Sequence, residues 1–235
     1  DNVSVASMTY DPQGRLWVAL YTFFDAEVDR YDADGQMVES RPMAQMKTVG
    51  SISFDPSGGM YISGSASSPA VSINGTPYPV TEPYNLLVAR MNATGEAQWL
   101  RLAHDVTFQR PRVQADADGH AYLLGSQFDS LSWGGVHFHA PQWVSSFFLA
   151  RLDSMGIFEW GVEPPQPAGI VGRFELGQGQ GLGVDGDGNA YLLGTVQGTE
   201  DWGNGVVSNT GSPTTAQVSL LSFGPVGIPR GHLVG

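Results

Sequence analysis

"DADGHAYLLG" at residues 116–125 returns as "DGDGNAYLLG" at 185–194. Each copy opens on closely spaced aspartates, passes a glycine and continues as an apolar run. Such a unit either holds a cation on its carboxylates or turns the chain ahead of a strand. Related units decide between the two. DPQG (11–14) and DPSG (55–58) precede "RLWVAL" and "GMYISG" in the same way. A second series alternates strictly with the first: DADG (32–35), NATG (92–95), DSMG (153–156) and GPVG (224–227). Each of these follows a strand-like run, such as "LLVARM" or "FFLARL". Every unit ends in glycine, whereas the third place is also filled by Gln13, Ser57, Thr94, Met155 and Val226. A type I turn closed by a left-handed glycine asks for Asp or Asn first, tolerates Pro second and needs Gly fourth. A calcium loop needs about 6–8 oxygens, with carboxylates recurring along the loop. Asp116, Asp118, Asp185 and Asp187 supply only two carboxylates per loop before the sequence turns apolar. The turn reading is therefore preferred. Calcium on these four aspartates is the weak alternative, and no other cofactor is expected.

Two alternating turn series with apolar runs between them make each repeat two hairpins, or four short strands. The expected strands are 3–10, 15–21, 25–31 and 36–41; 48–54, 59–64, 86–91 and 96–102; 110–115, 120–125, 146–152 and 157–162; and 178–184, 189–195, 217–223 and 228–234. Four-stranded sheets recurring at this period are the signature of β-propeller blades. The expected fold is all-β: a β-propeller of four four-stranded antiparallel blades, at about 1–44, 45–105, 106–172 and 173–235. It is either a complete small propeller or part of a larger one, and the reading leans toward a piece of a longer repeat protein. First-series units lie 44, 61 and 69 residues apart, because blades 2, 3 and 4 carry inserts between their second and third strands. "SINGT", "SWGGV" and "DWGNGV" within those inserts predict a short extra hairpin in each.

The pattern resembles bacterial β-propeller repeats of the SBBP type, especially those of large secreted or surface proteins of myxobacteria. In blade 3 the resemblance rests on Gly119, Tyr122, Gly125, Trp133, Arg151, Asp153, Gly156 and Trp160. In blade 2 it rests on Gly58, Tyr61, Gly64, Arg90, Gly95 and Trp99. Blade 4 follows the pattern through Trp202 and then departs, with Ser222, Gly224 and Gly231 in place of Arg, Asp and Trp. Blade 1 has Trp17 at the Tyr position and Glu39 at the Trp position. The resemblance implies a fold and an extracellular setting, secreted or on a bacterial cell surface. It implies no chemistry.

Composition narrows the function. With a net charge of −12 and a single lysine, Lys47, the chain has no clustered cations for phosphates, so nucleic acid is not an expected partner. No run approaches the length of a membrane span, and membrane insertion is not expected. The absence of cysteine rules out disulfides and thiolate chemistry.

Catalytic signatures are missing. There is no nucleophile elbow, zincin helix or phosphate loop. "GQGQGLG" (177–183) falls where a first strand belongs and reads as close backbone packing near a propeller axis. Asp129, Glu163, Glu175, Glu200 and Asp201 read as solubilising loop acids. "VHFHA" puts His137 and His139 on one face of an inserted strand, as exposed imidazoles. Trp99 and Trp160 are expected between blades, and Trp133 and Trp202 as staples of the inserted hairpins. Trp143, Tyr78 and Tyr84 do not recur, which makes them, with His137 and His139, the candidate binding residues.

The expected function is thus non-enzymatic. A secreted or surface propeller would bind protein or carbohydrate at its enlarged strand 2–3 loops, with further repeats of the same polypeptide as another partner. On this reading residues 128–145 can be deleted without harm to the fold. Two alternatives stay open: a propeller lyase or glycosidase with acids around the central channel, and a structural spacer in a filament or adhesin.

Overall fold

The chain reverses eight times on the same hydrogen bonds. In each unit the glycine N–H donates to the carbonyl of the unit's first residue, whose own N–H donates to the carbonyl just past the glycine. All eight glycines lie at φ between +74° and +86°, where any other residue is strained. In seven units the Asp or Asn Oδ1 also accepts two amide N–H groups of its own turn. Gly224 has no side chain to do so.

The computed structural model describes residues 3–105, 109–127, 129–139, 146–164, 172–212 and 214–234, and among them all regular structure is strand. Sheet 1 contains β1 (Ser4–Tyr10), β2 (Leu16–Tyr21), β3 (Ala26–Tyr31) and β4 (Met37–Met43) in chain order. Sheet 2 contains β5 (Met46–Phe54), β6 (Met60–Ala66), β9 (Asn85–Met91) and β10 (Ala97–His104), with the hairpin β7 (Ala70–Ile73)–β8 (Thr76–Pro79) inserted at its middle. Sheet 3 contains β11 (Arg112–Ala115), β12 (Ala121–Gln127), β15 (Ser146–Leu152) and β16 (Phe158–Val162), with the inserted hairpin β13 (Leu131–Trp133)–β14 (Val136–Phe138). Sheet 4 contains β17 (Gly172–Val184), β18 (Ala190–Gly203), β20 (Ala216–Phe223) and β21 (Pro229–Val234). Its insert is not a separate hairpin, because β18 runs on and β19 (Val206–Asn209) pairs with the overhang. All pairings are antiparallel, and the sixteen main strands fall close to their expected positions.

The core is divided among three seams. Trp17, Ala19 and Val28 of sheet 1 pack on Ile52, Met60 and Ile62 of sheet 2. The other face of sheet 2 carries Tyr61, Leu86 and Val88 against Leu123, Phe148 and Ala150 of sheet 3. The far face of sheet 3 brings Tyr122, Leu124 and Phe147 against Leu192, Leu221 and Phe223 of sheet 4. Strand alternation produces this: neighbouring residues of β6, such as Tyr61 and Ile62, are both fully buried, but in different seams. Each such side chain contributes roughly 1.5–3 kcal/mol.

The inserts belong to the core as well. Val71 and Ile73 join the first seam, Leu131, Trp133 and Phe138 the second, and Trp202 and Val206 the third. The amides of Ser72 and Asn74 donate to the carbonyls of Ala44 and Pro42 beside sheet 1. This corrects the expectation that 128–145 is dispensable for folding, since its removal would strip three buried side chains from the second seam. Trp133 and Trp202 are the staples they were expected to be.

Close backbone approach between sheets occurs at one of the first strands. In the glycine run, Gly183 has nothing within 4 Å of where a Cβ would stand, and a Cβ on Gly181 would lie 2.8 Å from Leu193 Cβ of the paired strand, a tight fit within its own sheet. At Gly50 of β5 a Cβ would lie 1.7 Å from the Pro111 carbonyl oxygen. Hydroxyls stitch the same strands: Ser51 Oγ donates to Val113 O (3.1 Å), and Ser63 Oγ to Pro111 O (2.6 Å). Small residues here let two inner strands meet at backbone distance. Gly50→Ala should therefore cost at least about 2 kcal/mol in urea unfolding, whereas Gly183→Ala should stay within about 0.5 kcal/mol of the parent. Equal effects would remove the close approach from the account.

Candidate functional site

Each seam is closed by a clasp of aromatic, cationic and turn groups. In sheet 2, Arg90 Nη2 donates to Asp55 Oδ2 (2.8 Å) while its guanidinium stands 5.5 Å from the Tyr61 ring. The Tyr61 hydroxyl crosses the seam to donate to Gly119 O (2.6 Å), and Trp99 Nε1 donates to Ser154 O (3.0 Å). Sheet 3 repeats this toward sheet 4. The Tyr122 hydroxyl donates to Gly188 O (2.6 Å), and Trp160 Nε1 and Arg151 Nη1 both donate to Pro225 O (2.9 and 2.7 Å). Burial pushes both tyrosine hydroxyls up to about 12. Burial also works against the charged form of Asp55, but hydrogen bonds from Ser57, Arg90 and the Gly59 amide outweigh it and hold the carboxyl below its usual range.

Sheet 1 makes its clasp from other residues. Trp17 Nε1 donates to Asp11 Oδ2 (2.9 Å), Arg41 lies over the Trp17 ring, and Arg41 Nη2 crosses to Ala93 O (3.1 Å). Among the described residues sheet 4 has no further sheet to clasp. The Tyr191 hydroxyl instead folds back onto Asp185 Oδ2 of its own turn (2.9 Å). Hydrogen bonds from the Asn189 side chain and amide lower the Asp185 carboxyl to about 2. The four turn aspartates thus divide by position. Asp116 and Asp185 accept their turns' amides, and Asp118 and Asp187 stand at the variable third place, each contributing an amide to that network.

The candidate binding residues lie on two of the inserts. Tyr78 lies on β8 and lines a shallow cleft of about 590 Å³ at the rim of the second seam, with Gln98, Trp99, Arg101 and Met155. Tyr84 lies further along the same insert, and its carbonyl accepts the Asp105 amide. His137 and His139 sit on the other insert, exposed as expected, with Nδ1 near Ser132 Oγ (2.9 Å) and Glu163 Oε1 (3.1 Å) respectively. Trp143 lies outside the described residues.

Three of the acids read as loop acids lie in strands: Glu175 in β17, and Glu200 and Asp201 in β18. Glu200 is on the face shared with Val196 and Trp202, and is 6% exposed. Burial pushes its carboxyl up to about 7. The alternation "TEDWG" was the available signal, hidden by the loop-like glycines on either side.

The most distinctive surfaces are the two faces left over when four sheets make three seams. On sheet 4, Leu193, Val218 and Leu233 are 48%, 57% and 71% exposed. On sheet 1, Val5, Met8 and Tyr10 are 63%, 68% and 66% exposed. No protein-family model matches the chain, and a comparison with curated proteins finds no match.

Glu200 gives a pH signature. Its folded-state affinity for a proton exceeds the unfolded value near 4.5, so its stabilising contribution is complete below that pH and is lost as pH rises toward 7. Glu200→Gln should abolish this loss and gain on the order of 2 kcal/mol over the parent between pH 5 and pH 8, read by urea unfolding at each pH. Parallel pH profiles for the two chains would contradict the assignment.

Proposed function

We propose that the chain is a four-repeat sector of a β-propeller and acts without catalysis, as a scaffold that presents surfaces for binding and assembly. Its resemblance to repeats of secreted and surface proteins gives the setting, outside a bacterial cell. One observation carries the reading: apolar side chains that are buried at equivalent positions in the interior sheets are exposed on both end sheets. Leu193 corresponds to Leu124 (0% exposed) and Met8 to Ile52 (4%), by their registers against neighbouring strands. Monomeric proteins seldom leave two such faces uncovered. The clasp groups support the same view. The arginines, tyrosines and turn carboxylates that might have served chemistry are bonded across seams or within turns. The cleft beside Tyr78 is lined by arginine, aromatic and neutral side chains, with no carboxylate or imidazole among its described walls.

The reading requires the two end faces to stay apart within one chain. Met8→Glu combined with Val218→Glu should leave cooperative unfolding and the β-type circular dichroism spectrum intact. The double variant should scatter X-rays as an open arc, with a radius of gyration above the roughly 17–18 Å of a compact domain of this length. A compact particle at that value, or loss of the fold, would mean that the end sheets close on each other and present nothing.

A further inference from the structure

We propose that the outer face of sheet 4 in one copy of the chain docks on the outer face of sheet 1 in a second copy, and that two copies close a ring of eight sheets. This rests on the open-arc reading above and adds the identity of the partner.

The three internal seams are all of one kind, in which the forward face of a sheet meets the rear face of the next. The registers show that sheet 4 still has a forward face and sheet 1 a rear face. Tyr191, Leu193 and Val218 stand where sheet 3 has Tyr122, Leu124 and Phe147, all three buried. Val5 and Met8 stand where sheet 2 has Val49 and Ile52, at 1% and 4% exposure. Among the described residues no strand of sheet 1 packs substantially on a strand of sheet 4. A missing fourth seam thus has both of its halves in the same chain.

The turns agree. At three receiving glycines the seam leaves no room: a Cβ on Gly188 would stand 3.0 Å from the Tyr122 hydroxyl, and one on Gly156 or Gly227 would enter the ring of Trp99 or Trp160, whereas Gly58 meets only Ala93 of its own sheet. At the equivalent Gly14 and Gly35 of sheet 1 nothing lies within 4 Å.

Sheet 4 lacks the seam tryptophan, having Gly231 instead, but a seam does not require one. Sheet 1 docks on sheet 2 with Glu39 at that place and Arg41 reaching the turn carbonyl. In sheet 4, Ser222 takes the place of the clasp arginine, and Arg230 from the next strand supplies a guanidinium beside the turn, where a Cβ on Gly224 would stand 2.7 Å from its Nε. The acidic turn holding Asp32 and Asp34 is the natural receiver for that cation.

The copy number follows from the fold. Propellers hold typically about four to eight blades. Four sheets leave the arc open, two copies give eight, and three would exceed the range. A head-to-tail interface that closes forms a ring, and one that does not forms a filament.

The cysteine-free sequence makes the test clean. Light scattering coupled to gel filtration should give twice the 25.1 kDa chain mass. Met8→Glu alone and Leu193→Glu alone should each halve the mass while keeping cooperative unfolding and the β-type circular dichroism spectrum. A Met8→Cys chain mixed with a Leu193→Cys chain should cross-link to a dimer with a short bis-maleimide, while neither variant cross-links alone. A monomer persisting at millimolar concentration, a ladder of open oligomers, or cross-linking of Met8→Cys to itself would each overturn the proposal. A monomeric parent whose double variant still scatters as an arc would overturn the second copy while leaving the open-arc reading standing.

Discussion

A four-stranded sheet that is apolar on both faces has to be covered on both faces, and most of this structure follows from that constraint. Alternation along each strand sends neighbouring residues to opposite sides, so Tyr61 and Ile62 work in different seams although they are adjacent in the chain. No sheet has a core of its own. Stability is therefore a property of pairs of sheets, and the seam determines what each residue is for. Arg90, Tyr61 and Trp99 look like a binding cluster in isolation. Across the seam they are a clasp whose hydroxyl and indole nitrogen satisfy turn carbonyls at Gly119 and Ser154. Removing one partner would leave a polar group stranded in a poorly hydrated place, which costs more than the bond contributes.

What the sequence made legible was whatever depends on a few neighbouring residues. A turn that must end in a left-handed glycine is visible in four letters, and eight such turns located sixteen strands. Comparison among the eight also favoured the turn over the metal reading, because Asp118 and Asp187 occupy a place that Gln13 or Met155 fills equally well. The tryptophans of the inserts were readable by recurrence. What was not legible depended on which surface lies opposite. Glu200 reads as a loop acid because glycines surround it, and only the overhang of β18 against the third seam buries it. Of the glycine-rich run that suggested close packing, Gly183 has open space and Gly181 is tight only against Leu193 of its own sheet, whereas the solitary Gly50 gives no local sign that Pro111 lies against it.

The inserts show how local and distant constraints combine. A loop of twenty residues between the second and third strands would ordinarily be a surface feature. Here the loops of sheets 2 and 3 fold into short hairpins whose inward residues extend a seam past the ends of the strands. His137, on one such hairpin, faces solvent, so that hairpin is open to contact on one side only. A partner binding there would rest on a rigid hairpin rather than on a loop that must be ordered first, which lowers the entropic cost of association.

The departures from the shared pattern are concentrated in sheets 1 and 4. Interior sheets carry the full clasp of tyrosine, arginine and tryptophan, whose indoles fit over turn glycines that could hold no side chain. Sheet 1 replaces the tyrosine and tryptophan with Trp17 and Glu39, and compensates with Arg41 stacked 4.5 Å from the Trp17 ring. Sheet 4 replaces the arginine and tryptophan with Ser222 and Gly231, and Arg230 supplies a cation from the adjacent strand. Each end keeps the chemistry of the clasp while changing the residues that provide it. A face released from packing would be free to become polar, since apolar exposure brings nothing to an isolated chain. Val5, Met8, Leu193 and Val218 are apolar, and they sit in the registers where the interior sheets bury Val49, Ile52, Leu124 and Phe147. Apolar residues held at seam positions on both ends are the physical mark of faces that are meant to be covered.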